Sequence, residues 1–333
     1  MKNRLFLIFL IIFLLAGCGT LQPQQKEKTQ IVATIFPLYD FAREIAGEDA
    51  EVKMLLKPGA EVHSYEPTPQ DIIAIQNCDV FLYIGGESDE WVRNVLESID
   101  TPDMQVVALM DCVDVVEETE NGFAWNGEHD HGDDDHAHEE MEYDEHIWTS
   151  PRNAVKMVKA ITGALQVADH SHATGYAERA ERYTGQLTAL DEALTETVNN
   201  AERKLVIFAD RFPFLYLVRD YGLNYYAAYP GCSSEAEPSA ATVAAIIEEV
   251  KETGVPAVFY IELSNRLMAN TIAEATGAEE LLLHSCQNVS REEFRQGEGY
   301  LSLMERNVKN EIPAGRIMSR ASKLVFVMLA NVS

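Results

Sequence analysis

The sequence predicts an α/β protein of two similar lobes, each a parallel sheet flanked by helices, joined by one long helix, with a ligand crevice between the lobes. Short apolar runs alternate with helical stretches along both halves of the chain. Runs that are apolar on both faces are typical of a parallel sheet covered on both sides. An uninterrupted helical pattern over residues 173–201 separates the halves, and turn residues of the first half recur in the second.

The first half contains four candidate strands and three helices between them. The strands are predicted at 31–35, 51–56, 79–84 and 105–109, and the helices at 37–47, 69–76 and 91–98. Lys57-Pro58-Gly59 and Gly85-Gly86 stop the second and third strands, since proline and glycine interrupt regular structure.

A helix start at Thr149-Ser150-Pro151 precedes a helix to about residue 167 and the long helix, in which leucines recur at helical spacing. The second half has strands at 204–208, 225–229, 257–261 and 280–283, and closing helices at 300–311 and 316–331. Phe212-Pro213 repeats Phe36-Pro37, and Pro230-Gly231 repeats Pro58-Gly59. The carboxyl ends of parallel strands are the usual place for a ligand, so the crevice should be shared by both lobes.

The N-terminus has the features of an export signal. Lys2 and Arg4 precede an apolar run at 5–15, which is too short to span a bilayer. It ends in Leu15-Ala16-Gly17-Cys18, which resembles the bacterial lipobox. We therefore expect export and lipidation at Cys18, and a protein anchored to the outer face of the cell membrane.

These observations divide the chain into five parts. They are a signal peptide (1–17), a lipidated Cys18 with its linker (18–29), an N-terminal lobe (30–170) with a His- and acid-rich insertion (128–145), a connecting helix (171–201) and a C-terminal lobe (202–333).

Acidic residues dominate the charge of the chain. It carries 54 Asp and Glu against 26 Lys and Arg, a net charge of −28, which argues against a nucleic-acid partner and favours cations. The acids are densest at 128–145, where no basic residue interrupts them. Such a segment is too polar to bury, and its histidines point to metal binding of low affinity. These accessory residues are His129, His131, His136 and His138.

Three other histidines follow or precede element ends at the predicted crevice. His63 follows the second strand, His146 lies ahead of a helix start, and His284 ends the last strand. Taken singly, each is as easily a loop histidine bonded to its neighbours. Together, neutral imidazoles converging at one edge suit Zn²⁺.

Three stretches resemble the metal-binding lipoproteins of zinc/manganese ABC transporters. They are the segment from Gly59 to Pro69, the run Asp144-Glu145-His146-Ile147-Trp148-Thr149-Ser150-Pro151-Arg152-Asn153-Ala154, and 259–264 followed by Glu274-Ala275-Thr276-Gly277-Ala278. The resemblance covers 31–327 and implies a binding protein that delivers its metal to a membrane permease. It implies that His63 and His146 are the ligands of the N-terminal lobe, and it aligns His284 with the last ligand of the family. We expect this protein to be a monomer.

One position departs from the family pattern. Where relatives place His or Glu after the strand at 204–208, this chain has Arg211, which cannot coordinate a cation. The remaining donor is open among Asp210, Glu235 and water, and Arg211 is free to pair with a carboxylate of the crevice. Three histidines favour Zn²⁺ over Mn²⁺.

The alternatives are manganese or iron uptake within the same class, a surface adhesion lipoprotein that buffers metal, and an exported enzyme. The run His138-Glu139-Glu140-Met141-Glu142 lacks the second His of a zinc protease, and Gly231-Cys232-Ser233-Ser234-Glu235 lacks the last Gly of a nucleophile elbow. We therefore do not expect an enzyme. Cys232 and Cys286 each follow a strand of the C-terminal lobe, so a disulfide between them is an open possibility.

Overall fold

The N-terminal half forms a four-stranded parallel sheet. The computed structural model describes residues 28–118, 143–228 and 239–314. The strands are β1 (Thr29–Ala33), β2 (Ala50–Met54), β3 (Val80–Tyr83) and β4 (Gln105–Ala108), in the order β2-β1-β3-β4. The interior strand β3 is buried along most of its length, as its apolar sequence predicts.

The C-terminal half forms a second parallel sheet with the same strand order. Its strands are β5 (Leu205–Phe208), β6 (Asn224–Ala227), β7 (Ala257–Tyr260) and β8 (Glu279–Leu282), ordered β6-β5-β7-β8. The predicted repeat of two similar α/β lobes is therefore confirmed at the level of topology.

Ten helices are described, and they cover the two sheets and join them. They are α1 (Phe36–Ala46), α2 (Pro69–Gln76), α3 (Glu90–Ser98), α4 (Pro151–Ala168), α5 (Ala173–Asn199), α6 (Leu215–Tyr221), α7 (Ala240–Thr253), α8 (Leu267–Thr276), α9 (Arg291–Gln296) and α10 (Tyr300–Ala314). Short 3₁₀ turns occur at Glu87–Asp89, Leu109–Cys112 and Ile147–Thr149.

The long helix α5 joins the lobes and contributes to a core that both share. Leu187, Leu190 and Leu194 are buried along one stripe, as their spacing predicts. A single buried cluster extends from Ile31 of the first sheet through this stripe to Phe208 of the second. The lobes are thus packed against a common apolar centre.

Polar contacts add to this packing where the lobes meet. The indole Nε1 of Trp148, in the N-terminal lobe, donates to the carbonyl of Ser285 at 2.8 Å. The hydroxyl of Tyr300 donates to the carbonyl of Trp148 at 2.7 Å, and its backbone N–H donates to Asp40 at 2.7 Å. The start of α10 is thereby attached to two parts of the N-terminal lobe.

The predicted insertion ended at residue 145, and the structure corrects that boundary. Tyr143 forms an antiparallel bridge with Glu117, and Asp144 and Glu145 are buried. These three residues therefore belong to the folded lobe, and residues 119–142 lie outside the described part.

Cys286 carries a free thiol in a fully buried position. Cys232, the other cysteine of the possible disulfide, lies outside the described residues. Over the described ranges, no helix is both long enough and apolar enough to cross a membrane.

Candidate metal centre

Loops at the carboxyl edge of the first sheet bring three candidate donors together. His63 lies between β2 and α2, and Glu145 and His146 lie just ahead of the turn that leads into α4. One nitrogen or oxygen from each residue lies within 4.8 Å of the other two. Tetrahedral ligands of Zn²⁺ are separated by about 3.4 Å, given bonds of roughly 2.0–2.1 Å, so a small contraction would complete this part of a shell.

Ser88, in the turn after β3, sets the orientation of His63. Its hydroxyl donates to one carboxylate oxygen of Glu145, and its backbone N–H donates to the other at 3.0 Å. Its Oγ also lies 3.1 Å from Nδ1 of His63, so Nδ1–H is the donor in that contact. This tautomer leaves the lone pair on Nε2, which is buried and makes no hydrogen bond to any described residue.

A carboxylate sets the orientation of His146 in a similar way. Nδ1 of His146 lies 3.2 Å from Oδ1 of Asp144, which also accepts the His146 backbone N–H at 2.8 Å. The indole of Trp148 meets the imidazole edge-on, with the centroids 5.3 Å apart. A carboxylate on the distal nitrogen of a metal-binding histidine fixes the tautomer and raises the basicity of the ligand.

The backbone at Gly86 permits the approach of Glu145. A Cβ placed on Gly86 would lie 2.5 Å from Cβ and 2.6 Å from Oε2 of Glu145. Glycine is therefore required here for a close approach, and its only structural contribution is the absence of a side chain.

Burial keeps the His63 imidazole in the neutral form that a metal ligand needs. Burial is the main cause that lowers the pKa of His63, opposed by the charge of Glu145 and reinforced by His146. Burial also raises the pKa of Asp89 to about 7, and this carboxyl accepts the N–H groups of Ile84 and Gly85 at the base of the Ser88 turn.

His284 is buried but is not one of the three clustered donors. Its Nδ1 accepts the N–H of Cys286 at 2.9 Å, so the neutral ring carries its proton on Nε2. That nitrogen is 3.7 Å from a carboxylate oxygen of Glu293, beyond hydrogen-bond length but close enough for electrostatic attraction. His284 lowers the pKa of Glu293. Like Nε2 of His63, Nε2 of His284 is buried and makes no hydrogen bond to any described residue. The role of His284 as a ligand stays a prediction.

Among the described residues, Arg211 and Asp210 of the C-terminal lobe each have polar partners of their own. Nη1 of Arg211 lies 3.1 Å from a carboxylate oxygen of Glu61, which bears out the expectation that Arg211 pairs with a crevice acid. Asp210 accepts the backbone N–H groups of Arg211 and Ile261. Glu235, Cys18 and the accessory histidines His129, His131, His136 and His138 lie outside the described residues.

Sequence reasoning missed Glu145 and Ser88 as members of the site. Glu145 is adjacent to His146 in the Asp144-Glu145-His146 run, and that adjacency was the available signal. Ser88 follows Gly85-Gly86 at a strand end, which placed it at the crevice but gave no indication of its contacts.

Residues 31–310 match the family model described as zinc-uptake complex component A, periplasmic. Curated relatives include the zinc-binding lipoprotein AdcA of Streptococcus pneumoniae, which is 32% identical over 308 residues (92% of this chain and 60% of the relative). The high-affinity zinc uptake system protein ZnuA of Bacillus subtilis is 31% identical over 311 residues (92% of this chain and 95% of the relative).

Solved structures agree with these matches. The Zn(II)-bound ZnuA-like domain of Streptococcus pneumoniae AdcA superposes with a TM-score of 0.71 at 29% identity, over 86% of this chain and 99% of that one. The metal-dependent lipoprotein YcdH of Bacillus subtilis superposes with a TM-score of 0.72 at 28% identity, over 86% of this chain and 99% of that one. The chain spans only 60% of the length of the AdcA protein that it matches. Because the family model covers most of the sequence, the chain belongs to the family of zinc-uptake complex component A.

Proposed function

We propose that this protein captures Zn²⁺ outside the cytoplasm and delivers it to an ABC permease for uptake. The observation that carries the proposal is the convergence of His63, Glu145 and His146 at the carboxyl edge of the first sheet. Each donor has a hydrogen-bond partner, Ser88 for His63 and Glu145 and Asp144 for His146, which is the usual arrangement around a metal site. The ion is cargo in this account, and the protein performs no catalysis on it.

The donor set favours Zn²⁺ over the other metals of this transporter class. Two imidazoles and one carboxylate suit zinc, whereas Mn²⁺ prefers a shell richer in oxygen. Of the fourth donors considered from the sequence, Asp210 accepts two backbone N–H groups, as Glu145 accepts two hydrogen bonds from Ser88, and Glu235 lies outside the described residues. The candidates for the remaining positions are His284, Asp210, Glu235 and water, as the sequence predicts.

Anchorage and partners belong to the same proposal and rest on the sequence. Cys18 is the lipid anchor, the membrane subunit of a permease is the partner, and the protein acts as a monomer. His129, His131, His136 and His138 form an accessory metal loop of lower affinity.

A competition titration against a zinc-binding chromophore tests the site directly. The His63→Ala, His146→Ala double variant should bind zinc more than about 100-fold more weakly than the wild type, since loss of supporting residues alone costs roughly 10–100-fold. His170→Ala, at an exposed position outside the site, is the matched control and should leave the affinity unchanged. An unchanged affinity in the double variant would show that the site lies elsewhere.

A further inference from the structure

An ion pair joins the two lobes beside the candidate metal centre. Nη1 of Arg211, just after β5, lies 3.1 Å from Oε2 of Glu61, two residues before His63. The Arg211 side chain is 20% exposed and that of Glu61 is 38% exposed, so the pair is partly shielded from solvent. Both charges act on His63 with opposite signs, in addition to the larger effect of burial on its pKa.

The segment that carries Glu61 and His63 does not depend on this pair for its attachment to the C-terminal lobe. The N–H of Gly59 donates to the carbonyl of Val289 at 2.8 Å. The side-chain amide of Asn288 donates to the carbonyls of Lys57 and Ala60, at 3.0 and 2.8 Å. Three hydrogen bonds to backbone groups therefore attach this segment to the C-terminal lobe, and the ion pair is not needed for that attachment.

A guanidinium at this position has two consequences for a bound cation. It repels the ion, since it carries a permanent positive charge and has no lone pair to offer. It also pairs with the carboxylate of Glu61, an oxygen donor two residues before His63 whose charge acts on that histidine. Both consequences act against retention of the metal, and neither requires any change in the three clustered donors.

We propose that Arg211 limits the affinity of the site and speeds release of the ion, by placing a positive charge beside it and by withholding Glu61 from the metal. This inference rests on the proposed function. It assigns Arg211 as a residue that determines affinity by acting through charge, and it gives the lobe contact a role in delivery of the cargo.

Substitution of Arg211 separates this role from a merely structural one. Arg211→Gln should bind zinc about tenfold more tightly and release it correspondingly more slowly, the size expected from removing one partly screened positive charge that acts on the site. Arg211→Lys keeps the charge and should stay close to the wild type. Arg203→Gln removes the same charge from the opposite end of β5, at an exposed position, and should leave affinity and release rate unchanged.

The Glu61 variants test the second half of the inference. Glu61→Gln should weaken binding, because the charge of Arg211 is then uncompensated. The Glu61→Gln, Arg211→Gln double variant should lose most of the gain of Arg211→Gln, since no carboxylate is released. Affinities come from competition titration, release rates from stopped-flow transfer to a chelator, and thermal unfolding of the metal-free variants confirms that each is folded.

An Arg211→Gln variant that binds zinc with wild-type or lower affinity would overturn this inference while leaving the proposed function standing. A double variant as tight as Arg211→Gln would overturn the part assigned to Glu61. A wild-type protein that binds no zinc would overturn the proposed function and this inference together.

Discussion

Ser88 determines which nitrogen of His63 is available to a metal. Its hydroxyl hydrogen is directed to Glu145, so its oxygen accepts the Nδ1–H of His63 and the lone pair lies on Nε2. Asp144 holds Nδ1 of His146 by the same principle. Two imidazoles are thus oriented before any ion arrives, which reduces the ordering that binding must supply.

Gly86→Ala tests the placement of Glu145. The added Cβ would lie 2.5 Å from Cβ of Glu145, so the carboxylate must move away from Ser88 and from the cluster. We expect zinc affinity to fall at least about tenfold, the lower end of the effect of losing a supporting contact. Competition titration measures the zinc affinity of this variant.

Gly163→Ala is the matched control, because no atom lies within 4 Å of the Cβ that it would add. Gly163 lies inside α4, where alanine is the better helix former, so this variant should unfold at a slightly higher temperature and bind zinc as the wild type does. If Gly86→Ala bound zinc with wild-type affinity, Glu145 would not be one of the donors.

The sequence predicted where the histidines lie along the chain of elements but not how their rings are directed. His63, His146 and His284 were expected at strand or helix ends, and the elements next to all three are where the pattern placed them. A strand end specifies an edge of the sheet but not the direction of a ring. The N–H of Cys286 and the carboxylate of Glu293 determine that direction for His284, and neither contact is visible in a pattern of residues.

At the scale of elements, the start of α2 stabilises the segment that follows His63. Thr68 and Asp71 form a reciprocal capping box, with Pro69 in the first turn. Asp71 also accepts a hydrogen bond from Tyr65, inside the segment itself. The cap thus connects the helix to the loop that carries the donor.

Thr68→Ala should lower the free energy of unfolding by about 1 kcal/mol, the usual cost of losing an N-cap. Thr188→Ala makes the same change at an exposed position inside α5, where alanine is favourable, and should be neutral or slightly stabilising. Denaturant unfolding of the metal-free protein measures both. If Thr68→Ala and Thr188→Ala changed the free energy of unfolding equally, the N-cap at Thr68 would not be stabilising.

The junction between α4 and α5 has a pH dependence of predictable sign. Burial acts to raise the pKa of Asp169, but hydrogen bonds from Ser171, His172, Tyr176 and Thr29 outweigh it and hold the pKa below its ordinary range. A carboxyl whose pKa is lower in the folded than in the unfolded protein stabilises the fold. That stabilisation is fully present above the pKa of the unfolded state and is lost as the pH falls through the pKa of the folded state.

The wild type should therefore lose stability as the pH falls below about 4, the ordinary range of aspartate. Asp169→Asn should have a lower free energy of unfolding than the wild type at pH 7. Between pH 4 and pH 2 it should lose less of that free energy than the wild type does. Urea unfolding at each pH gives the comparison, and Asp103→Asn, at an exposed turn, is the control. The same acid sensitivity in both variants would contradict the assignment.

Element boundaries show where sequence patterns stop being informative. The helix predicted at 69–76 is observed as Pro69–Gln76, because its capping residues are local in sequence. The third strand was predicted to Ile84 but ends at Tyr83. The N–H of Ile84 donates to Asp89 at 2.7 Å, so a side chain five residues later ends the strand.

At the scale of the molecule, the two sheets share one strand order and one apolar centre. The repeated proline and glycine residues predicted the topology, since they mark the same strand ends in both halves. They did not predict which lobe supplies the donors. The three clustered donors all belong to the N-terminal lobe. Arg211 occupies the position at which the C-terminal lobe was expected to supply a donor.

The central claim is that the tight site lies in the folded lobe and not in the His-rich segment before it. Removal of residues 128–142 tests this, because it deletes the four accessory histidines and retains Tyr143, Asp144 and Glu145 in their folded positions. The measurement is a competition titration of the shortened protein with zinc. The shortened protein should bind one ion tightly, with wild-type affinity, and lose the weaker ions. Loss of the tight ion upon this deletion would contradict it.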